Sequence, residues 1–137
     1  MASAYGERLK VRYRDTDAQG HMFFANYLVF ADEVAGNYMR TLGFDWSDTS
    51  SLPTYVFTVN ANCDFVHECL AGDEVHVEVG YTRLGNSSAT LGFSLTRVDD
   101  GELLARGSFA QVFVDRDTRK PTPVPAAVRE RIEASLA

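Results

Sequence analysis

The run Arg8-Leu9-Lys10-Val11-Arg12-Tyr13-Arg14-Asp15-Thr16-Asp17-Ala18-Gln19-Gly20-His21, followed by Asn26-Tyr27-Leu28, sets both the architecture and the candidate chemistry of this chain. Its first part, Arg8 to Tyr13, alternates Leu9, Val11 and Tyr13 with charged residues, the period of a half-buried strand. A helix is expected from about Asn26 to Leu42, with Gly43 as its stop at C′. Between them, one turn gathers two carboxylates, a glycine and an imidazole. A carboxylate near a helix N-terminus meets unpaired N–H groups and the positive end of the dipole. Such a corner can bind a carbonyl oxygen and act on the carbon beside it. Asp and Asn also serve as plain caps before helices. Asp15, Asp17, Gly20, His21 and Tyr27 together exceed what one cap needs. A calcium loop does not fit: Asn26 stands where the bidentate Glu belongs, and no helix precedes the turn.

The expected helix carries two apolar rows, Tyr27-Phe30-Val34-Tyr38 and Leu28-Ala31-Ala35-Met39-Leu42. Together they make a stripe too wide for a helix resting on a surface. Either a curved sheet wraps it, or a partner chain buries the second row. Phe44 to Pro53 reads as a loop able to flank a substrate entrance. Thr54 to Leu70 alternates strictly, with Tyr55, Phe57, Val59, Ala61, Cys63, Phe65 and His67 on one face. A strand that long predicts a bulge near Asn60-Ala61-Asn62. Asp73 to Leu84 places Val75, Val77, Val79 and Tyr81 inward, and Ser88 to Val98 does the same for Leu91, Phe93 and Leu95. Leu103 to Asp115 is apolar on both faces, so it is expected to be central or covered by a subunit. Pro121, Pro123 and Pro125 precede a short helix, Ala126 to Leu136. The order β-α-β-β-β-β-α gives an α+β fold with an antiparallel sheet.

At 137 residues the chain is read as one domain, residues 1–137. A net charge of −6 argues against a nucleic-acid surface, while leaving room for a local basic patch that holds phosphates. Met1 to Gly6 has no apolar leader core, and no run is long enough to span a membrane. Cys63 and Cys69, in one expected strand, would lie about 20 Å apart, too far for a disulfide. Reduced thiols and a cytoplasmic location are the simplest account. His67 and His76 have no supporting cluster in the sequence, so no metal is assigned.

The motif Val11-x-Tyr13-x-Asp15-Thr16-Asp17-x-x-Gly20-His21-x-x-x-x-Asn26-Tyr27-Leu28 resembles the opening of the 4-hydroxybenzoyl-CoA thioesterase family, hotdog-fold acyl-CoA thioesterases of the YbgC-like type. Leu70-Ala71-Gly72-Asp73-Glu74-Val75, Gly101-Glu102-Leu103-Leu104-Ala105 and Val114-Asp115-Arg116-Asp117-Thr118-Arg119-Lys120-Pro121 follow in family order. The likeness runs over roughly residues 8–133. It implies a curved antiparallel sheet around one long helix, and hydrolysis of an acyl-CoA with water as the only co-substrate and no cofactor.

The resemblance gives Asp17 the chemistry, as nucleophile forming an anhydride or as general base toward water. The Phe24 N–H becomes the oxyanion donor, with Gly20 allowing close approach. Asp15 is read as structural, holding the loop through backbone N–H bonds. His21 either orients Asp17 and water or caps the loop. Tyr27 is expected beneath the site, and Asp32 is the candidate for meeting the acyl group, with Glu33 facing solvent or a subunit. Arg83, Asn86 and Ser87, and separately Arg119 and Lys120, are candidates for the CoA phosphates, against simple solvation of exposed turns. Phe23, Phe24, Phe30, Tyr55 and Phe57 are expected to cluster as a dry acyl pocket, apolar where Val56 and Phe57 stand. Self-association, with tetramers favoured over dimers, follows from the surplus apolar surface and the resemblance. Two other readings stand beside hydrolysis. One is an enoyl-CoA hydratase, disfavoured because Ala18-Gln19-Gly20 lacks that family's Asn-Pro step. The other is a non-catalytic acyl-CoA-binding protein.

Overall fold

Five strands and two helices account for most of the chain in the computed structural model, which describes residues 4–136. Met1 to Ser3, part of the segment read for a leader, lie outside the described residues. Strand β1 spans Tyr5–Lys10, helix α1 Ala25–Thr41, β2 Tyr55–Phe65, β3 Glu74–Leu84, β4 Ser88–Arg97, β5 Leu103–Val114 and helix α2 Ala126–Leu136. Two short 3-10 turns, Tyr13–Asp15 and Thr49–Ser51, complete the order. The sheet is antiparallel throughout, in the order β1-β3-β4-β5-β2.

Helix α1 buries Tyr27, Phe30, Ala31, Val34, Ala35, Tyr38 and Met39 against this sheet. The width of its apolar stripe is thereby explained within one chain: the sheet curves around the helix, the hotdog arrangement. The helix stops where Gly43 takes φ +114°. There Gly43 N–H donates to Arg40 O and Phe44 N–H to Met39 O, a paired C-terminal cap that needs a left-handed residue. Val75, Val77, Val79, Leu91 and Leu95 have no exposed surface and form the sheet side of the core. Strand β5 lies inside the sheet between β4 and β2, the central position expected for it.

Three expectations change. Strand β1 ends at Lys10, and Tyr13, 87% exposed as a residue, begins a 3-10 turn, because Arg12 turns back to bond Asp15. Strand β2 ends at Phe65, so Cys69 lies in the following loop; both cysteines are free. The bulge comes at Val59, between Thr58 and Asn60, slightly earlier than expected. An extra residue inverts the side-chain alternation beyond it. Val56 and Ala61 therefore share the helix-facing side with Phe113 and Phe109, while Tyr55 and Phe57 share the opposite face with Val114 and Val112. The single apolar row expected from Tyr55 to His67 is split between the two faces.

Candidate active site

The loop between β1 and α1 is built around the Asp15 carboxylate, which is buried. It accepts the Arg12 backbone N–H at 2.8 Å and the Arg12 guanidinium through two bonds of 3.0 Å. Burial pushes this carboxyl up, but the hydrogen bonds and charge of Arg12 outweigh it and hold Asp15 below the ordinary carboxylate range. The Asp15 carbonyl then accepts Phe23 N–H at 2.9 Å and Asn26 Nδ2 at 2.8 Å, tying the loop to the start of α1. The structural role expected for Asp15 holds, with Arg12 as a partner that sequence reading missed. An Arg three residues before an acid was the available signal.

Past Asp15 the chain makes a closed turn. Thr16 and Met22 pair as an antiparallel bridge, Asp17 N–H donates to His21 O, and Gly20 N–H donates to Asp17 O. Gly20 has φ +84°, a conformation that side-chain-bearing residues resist. Asp17 Oδ1 accepts Gln19 N–H at 2.8 Å, and Oδ2 lies 3.8 Å from His21 Nε2. That separation is too long for a direct hydrogen bond, so Oδ2 keeps its lone pairs available. The Asp17 side chain is 25% exposed, enough to meet a ligand.

Phe24 stands at the N-cap of α1 with no side-chain cap bond. Its N–H makes none of the hydrogen bonds found among the described residues. A free N–H donor at a helix start is a group able to steady a developing oxyanion. His21, Met22, Phe24, Tyr27, Phe65, Val66, His67 and Glu68 enclose a cleft of ≈ 200 Å³ at this corner. Asp17 is not among the lining residues; it is linked to the cleft through His21, whose carbonyl accepts the Asp17 N–H. Phe24 and Tyr27 both meet the Phe65 ring edge-on, at 5.9 and 5.5 Å between centroids. Tyr27 is buried as expected; its hydroxyl donates to His67 O at 3.2 Å and receives the Cys69 thiol. Burial above all, then Cys69, raises the Tyr27 pKa, so the phenol stays neutral.

Phe65, His67 and Glu68 belong to this corner, although the sequence placed them only as strand residues. His67 Nε2 lies 2.7 Å from Glu102 Oε1, an exposed pair at the cleft wall. No group of three or more His, Cys, Asp or Glu side chains among the described residues is placed to hold a metal.

Other candidates fall elsewhere. Asp32 is exposed in a separate groove of ≈ 320 Å³ with Trp46, Val56, Thr58 and Gln111, and Glu33 lines it as well. Within one chain, therefore, Asp32 does not reach the Asp17 cleft. The expected aromatic cluster divides in the same way. Phe23 and Phe24 pack together at 4.8 Å, whereas Tyr55 and Phe57 stack on each other at 6.2 Å on the other face of β2. Phe30 is buried in the core under α1. Tyr55 and Phe57 lie at the far end of β2 on its outward face, and Phe30 points from α1 into the core.

Arg119, left-handed at φ 59°, lays its guanidinium over both outer rings, 5.3 Å from Tyr55 and 5.4 Å from Phe57. Lys120 is exposed beside it. Arg83 is exposed near the end of β3, and the backbone carbonyls of Asn86 and Ser87 accept Arg129 and Phe113 N–H respectively. All five lie at the Tyr55 end of the sheet. From Phe57 to Phe65 the strand covers about 25 Å, so none of these residues reaches the cleft of its own chain.

The family profile described as thioesterase-like superfamily matches residues 11–132 of this chain. A thioesterase of Thermus thermophilus, solved in complex with coenzyme A and zinc, is 30% identical with a TM-score of 0.86, covering 98% of this chain and 96% of its own. The gentisyl-coenzyme A thioesterase BH1999 is 26% identical with a TM-score of 0.80, covering 96% and 99%. The 1,4-dihydroxy-2-naphthoyl-CoA hydrolase of Acaryochloris marina is 26% identical over 117 residues, 84% of this chain and 85% of that one.

Proposed function

The chain belongs to the thioesterase-like superfamily and is a thioester hydrolase; we propose that it cleaves an apolar or aromatic acyl-CoA to free acid and CoA, with Asp17 as the reacting carboxylate. One observation carries this reading: Asp17 Oδ1 is pinned by Gln19 N–H while Oδ2 is free, in the loop that leads into a helix start whose Phe24 N–H has no acceptor among the described residues. Either Oδ2 attacks the carbonyl carbon, expels the CoA thiolate and leaves an anhydride for water, or it takes a proton from water as that water adds. In both routes the carbonyl oxygen becomes anionic and the Phe24 N–H receives it. His21 orients the carboxylate and the water. The Asp15-to-Leu28 motif supports a place beside the YbgC-like 4-hydroxybenzoyl-CoA thioesterases within the superfamily.

The lining by Phe24, Tyr27, Phe65, Val66 and Met22 supports an apolar or aromatic acyl group. So do the substrates named for the relatives, which are aromatic acyl-CoA esters. The cleft of one chain, ≈ 200 Å³, is small for such a ligand, since ligand pockets usually run from about 300 to 1,000 Å³. Strand β2 is an open sheet edge of 11 residues with Val59 63% exposed, a template for pairing with a second copy. Antiparallel pairing of two β2 strands about a two-fold axis brings the Tyr55 end of one copy to the Phe65 end of the other. The Asp32 groove and the cations Arg83, Arg119 and Lys120 of one copy then flank the cleft of the next. In this arrangement Asn86 and Ser87 complete the phosphate-binding turn, and the dimers associate further into a tetramer.

A panel of acyl-CoA esters followed by free-thiol detection tests the activity. Benzoyl, phenylacetyl and medium-chain esters are expected to release thiol faster than acetyl-CoA. No ester releasing thiol above buffer rate defeats the proposal. Replacing Arg83, Arg119 and Lys120 together by Ala is expected to raise KM with kcat within a few-fold, an effect that high salt reproduces in the wild type.

A further inference from the structure

A larger hollow of ≈ 550 Å³ lies against the β1 side of α1, sharing Glu33 with the Asp32 groove and no residue with the Phe24 cleft. Leu9, Val29 and Phe30 supply its apolar part; Lys10, Arg12, Arg14 and Glu33 supply its charges. Val29 is 57% exposed and offers its side chain to the hollow. Arg12 is already neutralised by Asp15 at 3.0 Å. Lys10 and Arg14 form no ion pair among the described residues, although Glu74 stands opposite Lys10 in the β1–β3 register. Two free cations thus face one carboxylate, Glu33, a surplus of one positive charge in a chain whose net charge is −6.

We propose that this hollow binds a monocarboxylic acid with an apolar tail. The tail lies on Leu9, Val29 and Phe30, and the carboxylate takes the forked donors of Arg14 with Lys10 beside it. A surplus of one charge matches a monoanion and leaves a multiply charged nucleotide undermatched. The volume suits a small amphiphile. Such an acid belongs to the class that thioester hydrolysis releases, and the identity of the ligand rests on the hydrolase reading to that extent. The hollow also adjoins the loop that carries Asp17. Arg12 lines it while holding Asp15, and the Asp15 carbonyl holds Phe23 and Asn26. An acid held on Arg14 and Lys10 lies against Arg12 and the loop it braces, so its binding is expected to slow hydrolysis without entering the cleft.

The test is calorimetric titration of the full chain with decanoate and phenylacetate, with 1-decanol and inorganic phosphate as controls. Decanoate is expected to bind saturably, once per chain, without displacement by CoA. Arg14→Ala with Lys10→Ala is expected to weaken it tenfold or more, and Val29→Trp to block it by filling the hollow. Both variants are expected to keep wild-type hydrolysis in the absence of acid, and decanoate to inhibit the wild type non-competitively. Absence of saturable binding overturns the proposal, as does equal affinity in the double variant or for decanol and phosphate. Competition with CoA overturns it too. A change of subunit count in Val29→Trp shows instead that a second copy fills the hollow. Binding is measured without turnover, so its failure leaves the hydrolase reading intact, and a lack of thiol release leaves binding measurable.

Discussion

Asp15 and Asp17 are two residues apart in the same loop, and the structure assigns them opposite consequences when each is changed to Asn. In Asp17→Asn the amide oxygen can still accept Gln19 N–H at the position of Oδ1, so the turn survives. The lost contact to His21 is 3.8 Å long at a partly exposed pair, worth about 0–1 kcal/mol. Stability is expected to stay within about 1 kcal/mol of wild type. The activity loss is of another order: removing a base or nucleophile is expected to lower kcat on the order of 10²-fold or more, about 2.7 kcal/mol in the barrier.

In Asp15→Asn the balance reverses. One carboxylate oxygen accepts Arg12 N–H and Nε, the other accepts Nη2. An amide has one oxygen, so its NH₂ must face an Arg12 donor whichever way it turns. The lost charge-assisted bonds and the donor–donor contact sum to about 2–3 kcal/mol, reduced to about 1–2 because the Arg12 side chain is 54% exposed. At roughly 3–5 °C per kcal/mol for a chain of this length, Tm is expected to fall by about 3–10 °C. Thermal melts and thiol-release kinetics on both variants decide the matter. A well-folded Asp17→Asn enzyme with kcat within about fivefold of wild type refutes the catalytic assignment. An Asp17→Asn melting point as low as that of Asp15→Asn refutes the division of roles.

Three further outcomes follow from the same geometry. The folded Asp15 carboxyl titrates below its unfolded value, so its contribution to stability is present above about pH 4 and lost as pH falls through the folded value; the Tm gap between wild type and Asp15→Asn should be full at about pH 7 and shrink below about pH 4, and a gap independent of pH contradicts the ion pair. Gly107→Ala places a Cβ 2.0 Å from Asn62 O and 2.8 Å from Phe93 Cζ, forcing β2 away from β5 at a cost of about 1–3 kcal/mol or more; chemical denaturation showing no loss removes that packing argument. Val59→Lys puts a charge on the exposed edge of β2 and is expected to dissociate the assembly and lower activity together, with light scattering showing smaller particles; an unchanged mass with full activity places the subunit contact elsewhere.

The fold was legible because its signals are local and repeated. Period-two alternation in β3 and β4 and the double row on α1 each specify a buried face without reference to the rest of the chain. Gly43 and Gly20 sit where left-handed backbone is needed, and both have positive φ. Tyr13 departs from its expected strand for a reason that periodicity does not encode. Arg12 folds back on Asp15, so the strand ends before the apolar pattern does, and Tyr13 points to solvent.

The candidate site was legible only where it is contiguous. Asp17, Gly20, His21, Phe24 and Tyr27 fall within eleven residues; His21, Phe24 and Tyr27 line one cleft, and Asp17 and Gly20 join it through the turn closed on His21. Phe65 and His67 arrive there from β2, and their position depends on one extra residue at Val59. Without that bulge, Phe65 would share a face with Tyr55 and Phe57 and point away from α1. With it, Phe65 turns to meet Phe24 and Tyr27, while Tyr55 and Phe57 turn outward under Arg119. A single insertion therefore builds the cleft wall at one end of β2 and an aromatic–cation platform at the other, on opposite faces. One chain has no use for that separation across about 25 Å. Two chains paired along this edge do, since each strand end then serves the other copy. The proposed pairing would account for the bulge, the open edge and the distant cations together. The Val59→Lys variant, which breaks the pairing without touching either end, is the variant that tests them together.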